Sequence, residues 1–102
     1  MNIQTTARHF DLTPAVRRQA EDKLQHVLSG VPRVTNAHII LDMQKLARKA
    51  EVVVHVQHHT LEASAEADDL YAAIDLVMDK LSRQVEKIRD IETDHKGPRI
   101  SG

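Results

Sequence analysis

The spacing of apolar residues along the chain changes from two to about three and a half and back again, and each change marks an element. NIQTTA, residues 2–7, is short and rich in β-branched side chains, which predicts a strand ended by the basic RHFD. In LTPAVRRQAEDKLQHVL, Thr13 can cap free backbone N–H groups, and Pro14 at the first helical position loses no needed donor. Val16, Ala20, Leu24 and Val27 then share one helical face, and Gly30 and Pro32 stop the helix.

Three stretches of period two follow. VTNAHIILDMQ sets Ala37, Ile39, Leu41 and Met43 against His38, Ile40 and Asp42. After a KLARK loop, AEVVVHVQ sets Val52, Val54 and Val56 against Glu51, Val53, His55 and Gln57. After an HHT turn, LEASAEA sets Leu61, Ala63 and Ala65 against Glu62, Ser64 and Glu66. Short connections between them predict an antiparallel meander with one dry and one wet face. Asp68 or Asp69 can cap a second helix, in which Leu70, Ile74, Val77, Leu81, Val85 and Ile88 step by three and four into one apolar stripe. The expected order is β-α-β-β-β-α. A right-handed crossover through the first helix places both helices on one face of a four-stranded sheet, a two-layer α+β sandwich. One domain over residues 1–91 and a mobile C-terminal tail over 92–102 complete the organisation expected.

Composition narrows the function classes. Phe10 and Tyr71 are the only aromatic residues, so aliphatic side chains must fill the core and base stacking is a poor candidate for recognition. The chain has no cysteine, which removes thiolate metal sites, disulfides and a Cys nucleophile and suits a reducing compartment. No apolar run resembles a signal peptide or reaches the roughly 18 residues of a bilayer span, so a cytoplasmic location without a membrane partner is expected. With three glycines and neither a nucleophile elbow nor a phosphate loop, the chain offers no enzyme motif, and no cofactor is expected. His55 and His59 of HVQHH suggest a metal pair, but two histidines without a convergent Cys or carboxylate fall short of the usual three or four ligands.

The net charge is −1, yet its distribution is uneven. Residues 1–50 hold eight Lys and Arg against four Asp and Glu; residues 51–102 hold six against eleven. With about 100° of rotation per residue and Leu70 at zero, the second helix's apolar stripe centres near 20°. Lys80, Arg83 and Lys87 then fall at roughly 280°, 220° and 260°, and Asp75, Asp79 and Glu86 at roughly 140°, 180° and 160°. One flank is basic and the other acidic. Lys23 and His26 repeat the pattern faintly on the first helix. If the two helices lie side by side and these flanks form one basic inter-helix groove, its about five cations would bind a phosphate backbone, with affinity falling by a few hundredfold between 50 and 200 mM salt. Spacing alone equally fits a solvated helix face.

LTPAVRRQAEDKL, AHIIL, LEASAEADDLYAAID and DKLSRQVEK, in this order and spacing, resemble the ribosome hibernation-promoting factor and ribosome-associated inhibitor family of bacteria, also called sigma-54 modulation proteins. The resemblance covers about residues 1–90. It implies a fold similar to double-stranded RNA-binding domains and a factor that binds the small ribosomal subunit in the mRNA and tRNA channel, inhibiting translation in stationary phase or stress. It also implies that basic positions on both helices meet rRNA, here Lys23, His26, Lys80, Arg83, Lys87 and Arg89. Family members often continue the second helix with more bases, where this chain reads IRDIETDH, and His26 replaces a common Lys or Arg with a side chain whose charge depends on pH. No dimerisation domain follows in this sequence, so it resembles a short form that needs a second hibernation factor to pair ribosomes, or holds single ribosomes idle. The competing expectation is a protein-interaction module acting through the exposed sheet face or the acidic helix flank.

Overall fold

A computed structural model describes residues 1–96, with side chains described through Ile88. The elements are β1 (Asn2–Arg8), α1 (Pro14–Leu28), β2 (Val34–Met43), β3 (Arg48–Val56), β4 (His59–Ala67) and α2 (Leu70–Lys96). The α+β class and the β-α-β-β-β-α order match the sequence pattern. The sheet runs in the order β1-β2-β3-β4, with β1 parallel to β2 and the other pairs antiparallel.

Local signals set the helix ends. Thr13 has extended backbone and its Oγ1 accepts from the Val16 N–H at 3.2 Å, while Pro14 opens α1. Gly30, at φ 85°, takes the left-handed turn that a side chain would resist after α1. Asp69 Oδ2 accepts from the Ala72 N–H and caps α2.

The inner sheet face supplies Ala37, Ile39, Leu41, Ala50, Val52, Val54, Leu61 and Ala65, and the helices press Val16, Ala20, Leu24, Leu28, Ile74, Val77, Leu81 and Val85 onto it. α1 crosses β1 and β2, and α2 covers β3 and β4. Ala20 on α1 and Ala73 on α2 are fully buried.

Several boundaries differ from the sequence reading. Leu28 rather than Val27 completes the buried stripe of α1, since Val27 is only half-buried. Arg48 and Lys49 belong to β3, paired with Met43 and Asp42, so the loop shrinks to residues 44–47. His59 pairs with Val56, so the β3–β4 turn is residues 57–58 and His59 and Thr60 lie in the strand. By the two-residue period His55 points to the open face and His59 to the helix side, so the two do not share a face. The first strand pair of the meander also slips at Val34/Asn36, where Thr35 is the extra residue and its Oγ1 donates to the His55 carbonyl at 3.0 Å. α2 continues to Lys96, past the end near residue 91 that loss of periodicity suggested; nothing between the apolar stripe and Gly97–Pro98 breaks a helix. Residues 97–102, the remainder of the expected tail, lie outside the described residues.

Candidate nucleic-acid interface

α2 sorts its charges as the wheel requires, and the packing decides what each flank faces. Arg83 and Lys87 are exposed, one turn apart, and neither has a partner among the described residues. They form a ridge on the side of α2 turned from α1. Lys80, at the start of that ridge, bends to the edge of the sheet, where its Nζ donates to the Ser64 carbonyl at 2.8 Å. Gln84 does the same one turn later, its Nε2 donating to the Glu62 carbonyl at 2.6 Å. The match is geometric: four helical residues rise about 6 Å, and two strand residues about 6.7 Å, so side chains at i and i+4 meet alternate edge carbonyls.

The flank of α2 that faces α1 is the acidic one. A groove of about 700 Å³ between the helices is lined by Asp22, Lys23 and His26 from α1 and by Asp75 and Asp79 from α2, over Val27, Leu76 and Met78. Lys23 Nζ sits 2.9 Å from Asp75 Oδ1, with side-chain exposures of 39% and 60%. The structure thus brings Lys23 and His26 together, but it does not bring Lys80, Arg83 and Lys87 into the same groove. The expected basic inter-helix groove is corrected to a mixed, net acidic one, because the basic arc of α2 lies on the opposite side of its buried stripe. The Arg89 side chain lies outside the described residues. Arg17 and Arg18 on α1 are exposed cations that sequence reasoning passed over; they sit off the Lys23–His26 flank and line a separate cleft with Glu21 and Gln25.

A second polar cluster fixes the loop between β1 and α1. Asp42 points to the open sheet face yet is only 8% exposed. His9, at φ 70°, places Nδ1 2.7 Å from Asp42 Oδ1, and Gln44 Nε2 donates to Oδ2 at 3.1 Å. A carboxylate can only accept, so the His9 nitrogen is the donor. This bond, helped by Gln44 and opposed by burial, holds the Asp42 carboxyl below its ordinary value of 3.8. The cluster is structural in character: it ties a strained loop residue to β2, away from both helix flanks. Among the described residues, no group of three or more His, Cys, Asp or Glu is placed to hold a metal ion, and no helix is long and apolar enough to cross a membrane.

Comparison with known proteins matches these features to a family. Residues 3–92 fit the family model described as Sigma 54 modulation protein / S30EA ribosomal protein. A ribosome hibernation promoting factor of Azotobacter vinelandii is 36% identical over 90 residues, covering 88% of this chain and 84% of its own. Among solved structures, a ribosomal subunit interface protein from Coxiella burnetii superposes with a TM-score of 0.82 at 36% identity, over 88% of this chain and 99% of that one. The N-terminal domain of Protein Y from Thermus thermophilus superposes at 0.78 with 30% identity, over 86% and 99%. The family is one of ribosome-associated factors and not of enzymes. A match over nearly the whole of both chains, in sequence and in fold, means that this chain belongs to the Sigma 54 modulation protein / S30EA ribosomal protein family.

Proposed function

We propose that this chain is a ribosome hibernation factor that binds the small subunit in the mRNA and tRNA channel and inhibits translation in stationary phase or stress, acting in the cytoplasm without a cofactor. The names of its relatives, ribosome hibernation promoting factor and ribosomal subunit interface protein, support the ribosomal role. The observation that carries the site is the exposed Arg83–Lys87 ridge on α2, two cations that form no ion pair among the described residues. Phosphates of rRNA lie against this ridge and release counterions as they bind. Lys80 extends it, Arg89 is a further cation proposed to contact rRNA, and Lys23 and His26 meet rRNA from α1. Inhibition is by occupancy: a folded domain fills the path of mRNA and tRNA, and no bond is made or broken.

The ridge sets the expected salt dependence. Two or three fully available cations predict an affinity loss of about ten- to fiftyfold between 50 and 200 mM salt, well below that of a five-cation groove. The test is cosedimentation with purified small subunits. Arg83→Glu with Lys87→Glu is expected to release the protein and restore cell-free translation, with an unchanged circular dichroism spectrum. A doubly reversed protein that still cosediments and still inhibits overturns the reading.

A further inference from the structure

We infer that the outer edge of β1 pairs antiparallel with the same edge of a second copy of this chain, across a two-fold axis that joins the two sheets into one. The inference does not depend on the ribosomal reading, because α2, which carries the Arg83–Lys87 ridge, covers β3 and β4 at the other end of the sheet.

Three observations meet at this edge. β1 pairs with β2 over Asn2–Arg8 without a slip, and neither a bulge, a proline nor a lysine interrupts it, so it lacks those devices that blunt an edge strand. Its helix-side row, Ile3, Thr5 and Ala7, stays half-buried, whereas the residues in register on β2, Ala37, Ile39 and Leu41, are closed to solvent. A neighbouring strand would complete that burial. Beside the row runs a groove of about 430 Å³, lined by Ile3, Gln4, Thr5 and Thr6 with Arg17 and Glu21 of α1 above them. Four consecutive strand residues line it, so the groove follows the backbone edge rather than one face of the sheet.

Charge and register select a second copy as the occupant. Thr5 Oγ1 donates to Glu21 Oε2 at 2.7 Å, which sets Glu21 over Thr5. Because α1 connects two parallel strands it returns antiparallel to β1, so Arg17, one turn earlier, lies about 6 Å further along, or about two strand residues, toward Ala7. The Arg17 guanidinium has no partner among the described residues. A two-fold axis at Thr6, midway between these levels, sets the Arg17 of each copy against the Glu21 of the other. The same register places Thr6 opposite Thr6, Thr5 opposite Ala7 and Gln4 opposite Arg8, with no like charges facing.

So short a strand pairing is a small interface, and the dimer is weak and reversible. Sedimentation velocity on the full chain, from micromolar to millimolar concentration, is expected to show a monomer–dimer equilibrium, with amide hydrogen exchange slowing in β1 as the dimer fills. Arg17→Glu and Glu21→Arg each set like charges across the axis and are each expected to weaken self-association by about tenfold. Mixed together, the two variants regain the wild-type affinity as a heterodimer, because every pair across the axis is again of opposite sign. A chain that stays monomeric throughout, single variants that self-associate as the wild type does, a mixture that fails to pair, or protection that falls outside β1 would each overturn the inference.

Discussion

Lys23 Nζ and Asp75 Oδ1, 2.9 Å apart, bridge the two helices across the groove, so a lysine expected to meet RNA is neutralised within its own chain. The pair is more than a third exposed and contributes little to stability, at most about 1 kcal/mol and less in salt. Asp75→Asn should therefore leave the urea midpoint almost unchanged while freeing Lys23. Affinity for small subunits at low salt is expected to rise by a few-fold, with a steeper salt slope. An unchanged slope in cosedimentation would show that Lys23 does not reach phosphate.

The contacts from α2 to the β4 edge make a different prediction. Lys80→Met and Gln84→Met keep the aliphatic stems and remove the donors to Ser64 and Glu62. These bonds lie at an exposed edge, where water replaces a lost partner, so the double variant should lose only about 1 kcal/mol in urea denaturation. Faster hydrogen exchange should be confined to β4 and the facing turns of α2.

The core sets the scale for both. Leu81 is fully buried among α2, α1 and the sheet, and Leu81→Ala should lower stability by about 2–5 kcal/mol, as cavity-forming truncations do. The charge reversals at Arg83 and Lys87 should by comparison fall within about 0.5 kcal/mol of wild type. Denaturation of both variants separates loss of ribosome binding from loss of fold.

Acid should act through Asp42. Its carboxyl is held below the ordinary value of 3.8, mainly by the His9 hydrogen bond, and so it binds a proton less readily folded than unfolded. The stability this confers is complete above about pH 4–5 and is lost as pH falls through the lowered value. His9→Ala should move the Asp42 titration, followed by carboxyl NMR, back upward and flatten the acid limb of stability. Asp42→Asn should remove that part of the acid limb altogether.

Much of this architecture was legible because each element announces itself locally. Thr13-Pro14, Gly30 and the period-two runs need no knowledge of the rest of the chain, and the stripe from Leu70 to Ile88 requires a sheet to cover. The wheel also separated Lys80, Arg83 and Lys87 from Asp75 and Asp79 correctly. It could not say which flank meets α1, since that depends on how the two helices lie side by side on the sheet, a tertiary choice absent from either helix's own pattern. Asp42 escaped for a related reason: alternation assigns it to the wet face, and only the returning His9 loop buries it. The strand starts at Arg48 and His59 were missed because charged and histidine side chains at a strand end look like turn residues until their pairing partners are known.

The sheet has two ends, and they are not alike. At β4, Lys80 and Gln84 occupy two of the carbonyls that a fifth strand would use, so the helix acts as a terminator. At β1, among the described residues, no strand lies alongside the outer edge. A strand added at β4 would have to displace both helix donors, so the two ends of the sheet are not equivalent templates for a neighbouring strand.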